Sequence, residues 1–171
     1  MSKRILSGLL AALVLAGCAA PPPPAPPPPP VTLEVAIAAA ADVNPDASQR
    51  ASPLVLRVYE LEDAEAFAAA DFFSVWDKES ATLAAALVKR HELLLAPAGK
   101  AVKQLTLDPR VRFVGVVAAF RDIRNAQWRV IVPVSQDPNG PRAFRLEVAA
   151  NGTTATGSLV PANAPASGSS P

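Results

Sequence analysis

The side chain best suited to covalent chemistry is Cys18, the only cysteine among 171 residues. It follows Leu15 to Gly17, which end a short apolar run preceded by Lys3 and Arg4. A basic start, an apolar segment and small residues before a cleavage point are typical of an export signal. The run is shorter than the roughly 20 residues of a membrane-spanning helix. We therefore expect residues 1–17 to be a signal peptide whose removal makes Cys18 the N-terminus.

The residues from Leu15 to Cys18 resemble the lipobox of bacterial lipoproteins. The thiolate is the nucleophilic form of cysteine, and the resemblance implies a diacylglycerol in thioether linkage on Cys18 with a further acyl chain on its amine. Two or more chains suffice for stable anchoring, because each buried methylene contributes about 0.8 kcal/mol. Ala19 follows, and the absence of aspartate there resembles lipoproteins sorted to the outer membrane. The alternative is an ordinary secreted protein with a chance cysteine.

Other reactive groups are sparse. His91 is the only histidine, and we expect it on a solvated face at the start of a strand. Without a second histidine or another cysteine, no familiar zinc-ligand set can be assembled, and no Gly-x-Ser-x-Gly elbow is present for a catalytic triad. An acidic cluster fits the start of a helix as well as a carboxylate pair: Glu60, Glu62, Asp63 and Glu65. The sequence predicts no catalytic residue, no metal site and no cofactor besides the lipid on Cys18.

Composition limits the partners and the architecture. Once residues 1–17 are removed, 14 basic and 15 acidic residues remain, which gives no support for nucleic-acid binding. The 154 remaining residues suit one domain with a real core. No cysteine remains for a disulfide, so the fold must depend on packing alone.

Residues 21–30 contain nine prolines, interrupted only by Ala25. Proline fixes φ and donates no hydrogen bond, so this segment is expected to form a polyproline II spacer. At about 3.1 Å per residue it reaches roughly 31 Å. Because it directly follows the proposed lipid anchor, a stiff stalk is favoured over a proline-rich ligand. We assign residues 18–30 to the lipidated cysteine and stalk.

Short apolar-polar alternations separated by turn signals predict strands. They lie near residues 31–37, 54–61, 92–96, 103–107, 112–120, 127–133, 144–148 and 154–160. About eight such strands indicate an all-β, antiparallel two-sheet β-sandwich over residues 31–160. Asn151-Gly152 is the strongest hairpin signal, and Gly115 suggests a bulge or a close backbone approach. Residues 161–171, rich in Ala, Ser, Gly and Pro, are expected to be a disordered tail.

Two departures from strand patterning flank the second strand. Residues 63–76 are rich in alanine and aromatics, which predicts short helices, capped at Asp63 and Ser80, that cover a sheet edge or one end of the core. Aromatics at such spacing more often pack in a core than bind a ligand. The other departure is the connection of about 14 residues between the first two strands, long against a usual 4–6. Its Asn44-Pro45-Asp46 is turn chemistry.

Three stretches together resemble the type VI secretion system lipoprotein family called TssJ, also VasD or SciN-like. They are Asn44 to Ser48 leading to Ser52 to Leu61, Phe67 with Asp71-Phe72-Phe73, and Val114 to Asp122 with Gln127-Trp128-Arg129. The resemblance spans roughly residues 31–150. It implies a transthyretin-like sandwich with an added helical element after the second strand.

The resemblance also implies a location and a partner. It implies an outer-membrane lipoprotein whose domain faces the periplasm and binds the periplasmic C-terminal region of TssM, within a complex that also contains TssL. The loop between the first two strands would bind TssM, and its candidate residues are Asp42, Val43, Asn44, Pro45, Asp46, Ala47, Ser48, Gln49 and Arg50. The alternatives are a flexible connector for this loop, and for the protein a periplasmic small-ligand carrier, another envelope scaffolding lipoprotein or an envelope enzyme.

Overall fold

The computed structural model describes residues 29–162. The predicted signal peptide, Cys18, most of the proline segment and the tail after residue 162 lie outside these residues. Within them, no helix has the length and apolar character needed to cross a membrane.

Eight strands and three short helices make up the domain. The strands are β1 (Thr32–Ala39), β2 (Leu54–Leu61), β3 (Leu87–Leu95), β4 (Lys100–Thr106), β5 (Phe113–Ala118), β6 (Arg129–Pro133), β7 (Ala143–Asn151) and β8 (Thr154–Pro161). The helices α1 (Glu65–Ala69), α2 (Phe72–Asp77) and α3 (Glu79–Leu83) lie between β2 and β3, followed by a 3-10 turn (Ala84–Ala86). All eight predicted strands are present. The largest difference from the prediction is at β3, which starts at Leu87 and not near residue 92. The sequence did not predict its first half because residues 89–92 are polar.

The strands form two four-stranded sheets. Sheet I has the order β4-β1-β7-β8 and sheet II the order β3-β2-β5-β6, so the predicted two-sheet sandwich is confirmed. One pairing differs from the antiparallel expectation, since β1 and β7 are parallel, with Thr32 opposite Ala143. Five strands separate β1 from β7 along the chain, and no hairpin constrains their relative direction.

The core lies between the sheets. Inward-facing residues of β1 and β2 are fully buried, among them Leu33, Val35, Leu56 and Val58, and each such side chain stabilises the fold by about 1.5–3 kcal/mol. On one side β6 closes against β8, where a Cβ on Gly157 would lie 2.7 Å from Val130 Cγ1. Asn151-Gly152 lies in a hairpin as predicted, with Gly152 and Thr153 as its two loop residues.

The helical segment, residues 62–86, covers the outer face of sheet II. Its Phe67, Val75 and Leu83 form a second apolar cluster with three residues of sheet II: Tyr59, Leu61 and Val117. The ring of Phe67 packs on Gly115, where a Cβ would lie 2.6 Å from the ring. The close approach predicted at Gly115 is therefore confirmed, and this aromatic packs in a core.

The residues that precede the helices differ from the capping residues that the sequence predicted. Asp63 accepts a hydrogen bond from the Glu65 backbone, although Ala64 is the residue that precedes α1. Ser80 lies inside α3 and is not a cap, so that prediction is wrong; α2 ends at Asp77 and α3 begins two residues later. The side chain that does cap a helix is Asp71, which accepts from the Ser74 backbone at 3.0 Å.

The connections gather at two ends of the sandwich. At the loop end, the β1–β2 loop (residues 40–53) bonds to the β3–β4 turn and the β7–β8 hairpin. At the stalk end, the chain enters at Val31, whose oxygen accepts from the Leu107 backbone at 2.9 Å. The eight residues of β1 separate these ends by about 26 Å.

Candidate functional site

The β1–β2 loop is fixed by one buried residue, Asn44. It is 3% exposed and has a φ of 53°, a left-handed conformation that asparagine tolerates better than most residues. Its backbone N–H donates to the Gly152 oxygen at 2.7 Å. Its side chain donates to the Pro53 oxygen at 2.7 Å and accepts from the Arg121 backbone at 2.8 Å. One residue thus joins the loop to two other connections at the loop end.

The Asp46 side chain closes a turn within the β1–β2 loop, between Asp46 and Arg50. Its Oδ1 accepts from the backbone N–H groups of Ser48 at 2.8 Å and Arg50 at 3.0 Å, and its Oδ2 accepts from Arg50 Nε at 2.9 Å. These bonds, from the Arg50 backbone, the Arg50 side chain and Ser48, together with the charge of Arg121, lower the pKa of Asp46 below its ordinary value near 3.8. The ionised form of the carboxylate therefore favours the closed turn.

The nine candidate residues divide by burial. Val43 is fully buried in the main core, and Asn44 lies beneath the surface, so these two shape the loop from within. The other seven are at least partly exposed and form its outer face: Asp42, Pro45, Asp46, Ala47, Ser48, Gln49 and Arg50. Arg50 pairs with Asp46, although 79% of its side chain remains exposed.

The outer face of the loop continues into a groove of about 690 Å³. Sequence reasoning missed the residues that complete it, which come from the β5–β6 connection and the β7–β8 hairpin: Arg121, Asp122, Gly152 and Thr153. The Asn44–Arg121 bond spans 77 residues, and no local pattern signals such a distance. The groove combines carboxylates, the Arg121 guanidinium and backbone polar groups, which suits contact with a polar protein surface.

The one histidine was placed wrongly by the sequence. His91 is not on a solvated face; its Nε2 lies 2.7 Å from Glu60 Oε1, and the two side chains are 10% and 3% exposed. His91 lies opposite Val58 in the sheet II register, which directs it inward. Glu60 belongs to β2 and not to a helix start. The imidazole gives the buried carboxylate the hydrogen bond that burial requires. Across residues 29–162, no group of three or more His, Cys, Asp or Glu side chains is arranged to hold a metal ion.

Comparison with known proteins gives a consistent set of relatives. A family model described as type VI secretion lipoprotein, VasD, EvfM, TssJ matches residues 31–151. The crystal structure of the T6SS lipoprotein TssJ1 from Pseudomonas aeruginosa is 36% identical, with a TM-score of 0.72, and the match covers 78% of this chain and 99% of that one. No curated protein matches the chain.

Two further structures are similar. A chain of a type VI membrane complex is 27% identical with a TM-score of 0.64, over 78% of this chain and 100% of that one. A chain in a structure of the T6SS protein TssM C-terminal domain from EAEC is 26% identical with a TM-score of 0.60, over 76% of this chain and 98% of that one.

Proposed function

This chain belongs to the type VI secretion lipoprotein family (VasD, EvfM, TssJ), and we propose that it is the outer-membrane subunit of the type VI secretion membrane complex. In this proposal the outer face of the β1–β2 loop, within residues 42–50, binds the periplasmic C-terminal region of TssM. The lipid on Cys18 holds the assembly, with TssL, at the outer membrane. The role is one of attachment and involves no catalysis.

The observation that carries the proposal is a loop whose shape is fixed although most of it adds nothing to the core. Asn44 and Asp46 hold its backbone by hydrogen bonds, while its outer residues remain free to touch another molecule. A loop that is already ordered loses less conformational entropy on binding. A flexible connector would not require a buried asparagine that bonds across its own loop and to two other connections.

The identity of the partner is supported by the comparisons. Chains in a type VI membrane complex and in a structure of the TssM C-terminal domain match this chain over nearly their whole length. The loop end lies opposite the entry of the stalk, so a partner that reaches it from the periplasm meets no membrane.

The anchor is supported by the lipobox and by the description of the family as lipoproteins. In the proposal Cys18 carries the diacylglycerol and the acyl chain, and the proline segment up to residue 30 spaces the domain from the membrane. The domain then faces the periplasm. Cys18 itself lies outside the described residues.

Replacement of the loop's outer face tests the binding site. Residues 45–50 are exchanged for glycine and serine at equal length, with Val43 and Asn44 kept so that the loop base stays closed. Calorimetric titration of residues 29–171 with the TssM periplasmic domain should show affinity reduced about 100-fold or more, as for a lost binding hot spot. The matched control replaces residues 137–140 at the stalk end and should bind as the native domain does. Equal affinity in the loop variant would move the site to another surface.

Substitution of Cys18 tests the anchor. Cys18→Ser should leave the domain folded and release it from membranes, because even one acyl chain gives only marginal, reversible binding. Ala19→Ser, which keeps the thiol, is the control and should remain bound. The measurement is fractionation of outer membranes after a high-salt wash. If the serine variant still sediments with the membranes, attachment does not depend on the lipid.

A further inference from the structure

Arg142 lies at the stalk end, immediately before β7, beside the last residues of the proline segment. Its Nε donates to the Pro29 oxygen at 2.9 Å and its Nη2 donates to the same oxygen. Its Nη1 donates to the oxygens of Gln136 and Asp137, each at 3.4 Å. The guanidinium therefore spans three backbone carbonyls from two separate parts of the chain.

A proline segment can be held by hydrogen bonds only through its carbonyl oxygens, because proline has no N–H. A guanidinium, with donors in a rigid planar fork, is suited to grip one such oxygen and to reach others. Within residues 29–162 Arg142 takes part in none of the ion pairs with carboxylates. Its donors are directed at backbone oxygens instead.

The parallel pairing of β1 and β7 brings this side chain to the stalk. Thr32, the first residue of β1, lies opposite Ala143, and its N–H donates to the Arg142 oxygen at 2.9 Å. Val31 is 1% exposed. The junction from Pro29 to Thr32 is thus tied to the sandwich by its backbone, by one buried side chain and by the Arg142 guanidinium.

We propose that Arg142 is a clamp that fixes the direction in which the proline segment leaves the domain. The sequence predicts polyproline II for this segment, a form that is stiff over several residues, and with that form a direction set at Pro29 would be carried toward Cys18. The loop end lies about 26 Å away along β1, on the side of the domain opposite the clamp. The clamp then keeps the candidate binding loop turned away from the anchored end. This consequence rests on the proposed lipid anchor, whereas the clamp itself does not.

Distances between two spin labels test the clamp in the full lipidated chain in vesicles. Cys18 carries lipid there and takes no label. Ala25→Cys provides a label inside the stalk without removing a proline, and Arg124→Cys provides one at the exposed loop end. Pulsed electron resonance then gives the distribution of distances between the labels. Arg142→Ala should widen this distribution about twofold, because Pro29 then loses its hydrogen bonds to the domain and a stiff segment amplifies any added freedom at its base; the ties at Val31 and Thr32 remain.

Arg145→Ala is the matched control. Arg145 lies three residues further along the chain, within β7, and pairs with Glu34 at 2.9 Å, so its loss should leave the width unchanged. Arg142→Lys keeps the charge but replaces the planar fork by a single nitrogen, and should give an intermediate width; it also serves if Arg142→Ala does not fold. A native width in either Arg142 variant, or equal broadening in Arg145→Ala, would overturn the clamp. The same series in unlipidated Cys18→Ser protein should give the same widths, so failure of the anchor would not be mistaken for failure of the clamp.

Discussion

The two long connections on either side of β2 are held to the sandwich by opposite means. Residues 62–86 bury apolar side chains, with Phe67, Val75 and Leu83 packed on the outer face of sheet II. Residues 40–53 bury Val43 in the main core, and the rest of the loop is positioned by hydrogen bonds to Asn44 and Asp46.

The helical connection also uses hydrogen bonds, but at its helix ends. Arg129 Nη1 donates to the oxygens of Phe67 at 2.7 Å and Ala70 at 2.8 Å, and Arg57 Nη1 donates to the Trp76 oxygen at 2.8 Å. Carbonyls at a helix C-terminus lack partners within the helix and favour a cation. Both arginines therefore secure a cover whose position apolar burial already sets.

This difference indicates that the helical segment is a structural element, whereas the β1–β2 loop is a surface that can bind a partner. Each buried side chain of the helical cover stabilises by about 1.5–3 kcal/mol, whereas a hydrogen bond contributes about 1 kcal/mol net. A segment that commits its side chains to the core has few left to bind with. The β1–β2 loop keeps most of its side chains outside, so its fixed shape is available to a partner.

The largest loss of stability should come from a substitution in the helical cover, which is held by apolar burial. Phe67→Ala removes a fully buried ring that packs on Gly115 and on Tyr59, whose ring centre is 5.4 Å away. We expect the free energy of unfolding to fall by about 3–5 kcal/mol, a large share of the roughly 5–15 kcal/mol of a typical domain. Chemical denaturation gives this value directly.

Phe73→Ala is the control from the same helical cover. Phe73 is 59% exposed and touches Phe72 edge-on, so its removal should cost at most about 1 kcal/mol. Similar losses for Phe67 and Phe73 would show that the cover is not held by burial, and the contrast between the two connections would disappear.

A smaller loss of stability is expected from a substitution in the β1–β2 loop, which is held by hydrogen bonds. Asn44→Gly keeps the left-handed backbone but leaves the Pro53 oxygen and the Arg121 N–H without their partner, which should cost about 1–3 kcal/mol. Asn125→Gly removes an exposed asparagine from the same end, bonded only to Asp122, and should cost within about 0.5 kcal/mol. In the Asn44 variant, faster hydrogen exchange at Arg121 would locate the loss. Unchanged stability and exchange would mean that Asn44 does not hold the loop.

The sequence predicted what local patterns determine. β2 was placed to the residue, because its alternation is uninterrupted and turn residues bound it. The close approach at Gly115 was also predicted, because a glycine inside an apolar strand often marks a bulge or a place where another group comes close to the backbone. The parallel pairing of β1 and β7 was not, since the two strands are distant in sequence and no turn links them.

For the candidate loop, the sequence predicted where it lies along the chain but not which of its side chains face inward. Nothing in Asp42-Val43-Asn44 shows that two of these residues face inward, because Asn44 is fixed by Arg121 and Gly152, which arrive from distant connections. His91 was misplaced for a related reason. Its charged neighbours suggested a solvent-exposed position. The strand register directs the side chain toward the interior instead, and this register has an irregularity between Glu60 and Leu61.

The smallest expected effect is the pH dependence that Asp46 gives to the hydrogen-bonded loop. The pKa of Asp46 is lowered in the folded protein, so its ionised form favours folding above the ordinary value near 3.8, and this contribution is lost as pH falls through the lowered pKa. Asp46→Asn keeps an oxygen that can accept from Ser48 and Arg50 but removes the charge. The thermal midpoint of the native domain should therefore exceed that of Asp46→Asn at pH 6, and the gap should shrink as pH falls toward 3. Carbon-detected NMR titration of the Asp46 carboxyl supplies the pKa itself. A gap that stays constant with pH would mean that the turn is held by hydrogen-bond geometry without the charge, and that the fixed shape of the loop does not depend on the ionisation of Asp46.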